Sequence, residues 1–148
     1  ENDSVDYIYM CHILEHFSRH TYMQVLQNLF SILKPNGMIR ISVPDFESLV
    51  KYYIQTGNLE EIRGTLFGGQ RDDFDFHKWT FDFKSLKNEL MLIGFNNINR
   101  YNPFKVPHAN IKDWSKDYVP RHYPDGSEIP DEIWFKGTLV SLNIEAIK

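Results

Sequence analysis

At 148 residues and 42% hydrophobic content the chain is one domain long and can bury a core. Sixteen basic against twenty acidic side chains leave a net charge of -4, with no run of Lys or Arg interleaved with aromatics, which argues against a nucleic-acid partner. Cys11 is the single cysteine and no apolar stretch reaches the ~20 residues of a bilayer span, so the expectation is a cytoplasmic protein without an internal disulfide, a membrane span or an export signal.

The chain opens on Glu1-Asn2-Asp3-Ser4 and runs at once into Val5-Asp6-Tyr7-Ile8-Tyr9-Met10-Cys11, which is apolar on both faces apart from Asp6. That pattern predicts a strand covered on both sides of a parallel sheet, in a domain entered part-way. Ser18 is placed to cap a helix from about Arg19 to Leu33, with Phe17 packing on Tyr22 as a hydrophobic staple. Tyr22, Val25, Leu26, Leu29, Phe30 and Leu33 recur along it at helical spacing. Pro35-Asn36-Gly37 then turns the chain into a second strand, Met38 to Val43. Strand, helix, tight turn and strand make a βαβ crossover, so the class is α/β and these two strands run parallel.

Asp45 opens a helix through Phe46, Leu49, Val50, Tyr53 and Ile54 that stops at Gly57, and a shorter helix covers Leu59 to Leu66. Gly68 to His77 keeps no period and reads as a loop. Asp82 caps a helix carrying Leu86, Leu90 and Ile93, stopped by Gly94, and Phe95 to Tyr101 is a third strand. Residues 102–136 hold five prolines and form a loop-rich insertion, a candidate pocket wall. Thr138 to Ala146 alternates at Val140, Leu142, Ile144 and Ala146, a last strand with one buried face.

Two segments carry a resemblance. Asp6 to Phe17, with His12-Ile13-Leu14-Glu15-His16 at the end of its strand, is followed after one helix by Leu33-Lys34-Pro35-Asn36-Gly37 and by Arg40-Ile41-Ser42-Val43-Pro44-Asp45. Together they resemble the fourth and fifth strands of class I S-adenosylmethionine-dependent methyltransferases, in their predicted small-molecule branch. Gly68-Gly69-Gln70, His77, Phe81-Asp82 and the strand Ser141 to Ala146 are similar to that branch too. The resemblance covers most of residues 1–148, taken as one domain. It implies the C-terminal half of a Rossmann-like sheet of order 3-2-1-4-5-7-6. The four strands here then lie in the order first, second, fourth, third, with the last antiparallel to its neighbours. No glycine-rich turn follows a strand, so the segment that grips the cofactor in that family is not expected within one copy. The first strand is then left as an uncovered apolar edge, expected to pair two copies into a homo-oligomer.

The resemblance implies S-adenosylmethionine as cofactor and a small molecule as methyl acceptor. It places Cys11 and His12 along the cofactor, with Glu15 next to them; the plainer readings are a small buried thiol, a satisfied strand-end histidine, and a carboxylate that favours the start of a helix. His16 and His77 are the candidate catalytic bases, since a histidine titrates near neutrality. Asp45, Gln70 and Trp114 are substrate-side candidates, although N-capping is the first expectation for Asp45. Tyr118 and Trp134 could line the same acceptor site or anchor the insertion.

Two rival functions stand beside this one. The first is a truncated methyltransferase-like module that only binds partners. The second is a metal-dependent hydrolase, suggested by His12, His16 and His20 at intervals of four together with Asp72, Asp73 and His77. A zinc-protease motif would place Glu directly after the first His on a continuous helix, whereas Ile13 follows His12, so no metal ligand is assigned.

Overall fold

The computed structural model describes residues 1–130, 133 and 135–148 and has a four-stranded sheet at its centre. Strand β1 (Val5–Cys11) leads through helix α1 (Tyr22–Ile32) to β2 (Leu33–Pro44), followed by α2 (Phe46–Thr56), α3 (Leu59–Phe67) and α4 (Phe83–Ile93). Next come β3 (Asn96–Arg100), the short pair β4 (Tyr118–Val119) and β5 (Thr138–Leu139), and β6 (Ser141–Ile147). The sheet order is β1-β2-β6-β3. β1 and β2 are parallel, Tyr7 opposite Met38 and Cys11 opposite Ser42, while β6 runs antiparallel to both β2 and β3.

Local chemistry sets the helix limits. Asp45 accepts a hydrogen bond from the Glu47 N–H to start α2, and Gly57 in the left-handed region (φ 68°) ends it. Asp82 and Ser85 form a reciprocal capping box on α4. α1 begins later than the expected Arg19. Ser18 closes a separate turn, its carbonyl accepting from the N–H of Thr21 and of Tyr22, so the helix starts at Tyr22 without a side-chain cap. The Pro35-Asn36-Gly37 turn lies inside β2 as an irregularity opposite Val5 to Tyr7, with Asn36 at a φ of 66°.

The main core lies on one face of the sheet. Ile39, Ile41 and Val43 of β2 and Leu142, Ile144 and Ala146 of β6 pack there against Leu26 of α1 and Leu86 and Leu90 of α4. A second, smaller core joins Leu49 and Tyr52 of α2 with Ile62, Val119 and Val140.

The opposite face is polar and covered by the insertion. The Ser42 hydroxyl donates to Asn143 Oδ1 (2.6 Å), Asn143 Nδ2 to the Ser115 carbonyl (2.8 Å), the Tyr9 hydroxyl to Asp113 (2.7 Å) and Arg40 Nε to Glu145 (2.9 Å). The alternation of β6 predicts a single buried face. Ser141 and Asn143 are buried as well, because 3-10 turn Trp114–Lys116 lies over them. The apolar run of β1 predicts cover on both sides, yet Asp6 and Tyr7 are exposed and Met10 alone is buried. Among the described residues β1 pairs only with β2, which leaves its other edge open. No helix of the described residues is long and apolar enough to cross a membrane.

Candidate functional site

The site forms where β1 ends. His12 takes a φ of 49°, which breaks the strand's alternation, while its N–H still donates to the Ser42 carbonyl (2.8 Å). The chain then folds into the 3-10 turn Leu14–His16, which buries Leu14 and Glu15 completely. The loop after α3 returns to this turn. The N–H groups of Lys78 and Trp79 both donate to the Glu15 carbonyl (2.8 and 3.1 Å), and the His77 N–H donates to the Phe67 carbonyl (3.0 Å). Residues far apart in the chain, Glu15, His16 and His77, are thereby brought together.

Hydrogen bonds assign the imidazole nitrogens. His77 Nδ1 donates to the Thr65 carbonyl and His16 Nδ1 to the Phe74 carbonyl, each at 2.8 Å. Both Nε2 atoms are therefore left as acceptors. In His12 the order is reversed: the Ser141 hydroxyl proton goes to the Trp114 carbonyl, so His12 Nε2 is the donor in its 2.8 Å contact with Ser141 Oγ. Its Nδ1 keeps a lone pair facing Glu15 Oε1 at 3.3 Å. His77 Nε2 faces the same oxygen at 3.8 Å, and the His16 and His77 rings meet edge-on with centroids 4.8 Å apart.

Neither carboxylate oxygen of Glu15 has a hydrogen-bond partner among the described residues. Burial pushes its carboxyl up to about 8, against a smaller lowering by its own backbone N–H. Burial likewise takes His12 down to about 3, helped by the neighbouring His77, and burial lowers His77. These rings are neutral near pH 7.

The group opens into a cleft of about 540 Å³, a size suited to a small ligand. Gly64 and Thr65 of α3 and Asp75 of the following loop form one side, and Trp114, Asp117 and Arg121 of the insertion form the other. Arg121 binds buried Asp117 through Nε (3.1 Å) and Nη2, donates from Nη2 to Thr65 Oγ1 (2.8 Å) and lies 5.9 Å from the centre of the Trp114 ring. This clamp ties the insertion to α3.

Of the residues expected from sequence, His12, Glu15, His16, His77 and Trp114 come together here. Cys11 does not. As the residue after Met10 it faces the insertion side, near Tyr9 and Asp113, where burial raises its thiol to about 12. Asp45 is elsewhere too: it caps α2 and pairs with Arg100 (3.0 Å) at a separate cleft. Gln70, at a φ of 53°, is exposed and does not line the histidine cleft; its N–H donates to the Asp75 carbonyl (2.8 Å) and so shapes the loop. Tyr118 lines another cleft with Phe104, and Trp134 lies outside the described residues. His20 is exposed and accepts from Arg19, away from the group. Sequence reasoning misses Asp117 and Arg121, because nothing in a proline-rich stretch marks two charges four apart as a clamp.

No protein-family model matches the sequence, and no curated protein is significantly similar to it. Solved structures are similar over essentially all of the chain. A SAM-dependent methyltransferase of Archaeoglobus fulgidus superposes with a TM-score of 0.53 at 15% identity, covering 99% of this chain and 61% of that one. The chain has part of the class I methyltransferase fold. A SAM-dependent methyltransferase of Methanosarcina mazei gives 0.51 at 16% identity, with coverage of 100% and 61%. A Thermotoga maritima protein, "SAM-dependent methyltransferase, possible histamine N-methyltransferase", gives 0.53 at 15%, with coverage of 100% and 58%. The chain thus spans about three fifths of these methyltransferase structures' length, and its sheet order and parallel β1–β2 pair agree with the expectation from the sequence.

Proposed function

We propose that this chain contributes the acceptor side of an S-adenosylmethionine-dependent methyltransferase acting on a small molecule. The observation that carries the reading is the cleft at the carboxyl end of β1, where open α/β sheets bind their ligands, with His16 and His77 each holding an Nε2 lone pair at its wall. S-adenosylmethionine supplies a methyl group activated on a sulfonium sulfur. The fold around the cleft and the cleft's size fit such a ligand. Of the candidate cofactor contacts, His12 lines it, Glu15 backs it, and Cys11 points elsewhere. In this reading the cofactor's other wall lies outside these 148 residues, since no glycine-rich turn follows a strand.

Within that site the chain's own residues position and deprotonate. With the cofactor bound, its methyl group would pass to an oxygen or nitrogen of the acceptor, and Nε2 of His16 or His77 would take the proton the acceptor loses. The Nδ1–carbonyl bonds hold each ring with that nitrogen available. Trp114, 55% exposed at the cleft, offers a flat apolar surface to the acceptor. A small-molecule acceptor suits the cleft's dimensions, and histamine is named for one of the similar structures.

Calorimetric titration of the chain with S-adenosylmethionine and S-adenosylhomocysteine tests the proposal. Saturable binding that weakens at least tenfold in His12→Ala is the expected result. Absence of binding to either ligand in the folded protein leaves the partner-binding module as the better reading.

A further inference from the structure

We propose that Glu15, His16 and His77 form a binding site for a divalent transition ion of the zinc class. The ligand atoms of these three side chains lie within 4.8 Å of one another. What singles the group out is a mismatch of protons. A carboxylate oxygen of Glu15, a nitrogen of His16 and a nitrogen of His77 meet there, with His77 Nε2 3.8 Å and His12 Nδ1 3.3 Å from Glu15 Oε1, and neither Glu15 oxygen has a hydrogen-bond partner among the described residues. The imidazole protons that could satisfy the carboxylate are committed elsewhere, to the carbonyls of Thr65 and Phe74 and to Ser141 Oγ. A cation supplies what the described residues do not.

The surroundings are those a metal site requires. Imidazole ligands of zinc as a rule donate their second N–H to a carbonyl or carboxylate, which fixes the ring and raises its basicity, and both histidines here do so to backbone carbonyls. Two imidazoles and one carboxylate are a recurring zinc donor set that leaves a position open. Ligands of a tetrahedral zinc ion stand roughly 3.4 Å apart. Binding therefore draws the three inward by roughly an ångström, a shift that side-chain rotation of His77 and His16 can supply. The open position faces the cleft, where an oxygen or nitrogen of its occupant can complete the coordination.

This set differs from the one that sequence spacing suggests. His20 takes no part, His12 stays beside the site, Asp73 is not among the ligands, and Asp72 instead accepts from the Phe74 N–H (2.8 Å). The site also bears on the proposed chemistry, because coordination and base catalysis draw on the same lone pairs. Where the ion is bound, it supersedes the base role of the histidines. The inference does not depend on methyl transfer, since it is tested with metal alone.

The test uses chelator-treated protein without a histidine tag. Zn²⁺ is titrated by calorimetry, and Co²⁺ by its visible absorption, which reports coordination number. The expected result is one tight equivalent per chain, a tetrahedral Co²⁺ spectrum that Zn²⁺ abolishes, and a rise in melting temperature with Zn²⁺. Affinity should fall at least a hundredfold in His77→Ala and in Glu15→Gln, and stay within twofold in His20→Ala. Circular dichroism and the metal-free melting temperature confirm that each variant is folded. Equal binding by wild type and the folded His77→Ala and Glu15→Gln variants overturns the proposal, as does absence of a tight equivalent. Either result leaves Glu15 a buried carboxyl that binds no metal.

Discussion

Gly68 decides whether the loop carrying His77 can sit where it does. It has a φ of 80° and a ψ of 172°, a region in which glycine is almost the only residue found. A Cβ there would lie 2.3 Å from the Asp75 carbonyl oxygen and 3.0 Å from the His77 nitrogen. In Gly68→Ala the backbone strain costs about 1–3 kcal/mol. Residues 75–77 must also retreat by roughly an ångström, which weakens the hydrogen bonds from His77 N–H to Phe67 and from Gln70 N–H to Asp75, at about 1 kcal/mol each. The total is roughly 3–5 kcal/mol, or on the order of 10 °C in melting temperature for a chain of this size. Gly57→Ala is the matched control. Gly57 is also left-handed (φ 68°), but nothing lies within 4 Å of where its methyl would sit, so only an intrinsic cost of about 1 kcal/mol applies. Calorimetric melting of both variants separates strain at the residue from contact with the loop. If Gly68→Ala melts within a degree of Gly57→Ala, the close approach of the loop does not exist in solution and the placement of His77 beside Glu15 fails with it.

Asp82→Ala should lose a capping box and about 1 kcal/mol at pH 7, a drop of about 2–4 °C. Hydrogen bonds from Ser85 depress the folded Asp82 pKa, so the cap's contribution is present above the unfolded carboxylate value and is lost as pH falls through the folded one. The gap between wild type and Asp82→Ala should therefore close below about pH 4, while Asp82→Asn, which still caps, should hold its stability there; a gap that stays constant from pH 7 to pH 3 contradicts the assignment. The open edge of β1 should pair between copies, giving a dimer by light scattering that Tyr7→Lys weakens, since Tyr7 is 40% exposed there; a monomer at high protein concentration rules that pairing out.

The elements most legible in the sequence are those whose ends have their own chemistry. α2 and α4 start where Asp45 and Asp82 accept backbone N–H groups, and both stop at a glycine with positive φ. The parallel pairing of β1 and β2 follows from one short helix and a turn between two apolar runs. What could not be read is tertiary. Ser18 has the composition of a helix cap, but its carbonyl closes a turn before Tyr22. Cys11 and His12 are adjacent in sequence, yet the left-handed φ of His12 sends them to different surroundings, Cys11 toward Asp113 and His12 toward Glu15. His16 and His77 are each visible as a candidate. Their meeting depends on two N–H groups of the later loop finding the Glu15 carbonyl, and no local pattern announces that contact.

The polar face of the sheet sets the standard against which Glu15 stands out. There Ser42, Asn143, Tyr9, Asp113, Arg40 and Glu145 all find partners through the insertion or across the strands. Asp117, almost as buried as Glu15, is held by the Arg121 guanidinium. Glu15 occupies a position between Leu14 and the histidines that an apolar side chain would fill at no cost in desolvation, whereas an unpaired buried carboxyl costs several kcal/mol at about neutral pH. Its backbone carbonyl already does the structural work of anchoring Lys78 and Trp79, and any residue could supply that carbonyl. The acidic side chain is therefore superfluous to the fold at the place where it is most expensive, which is the pattern of a group kept for what it binds.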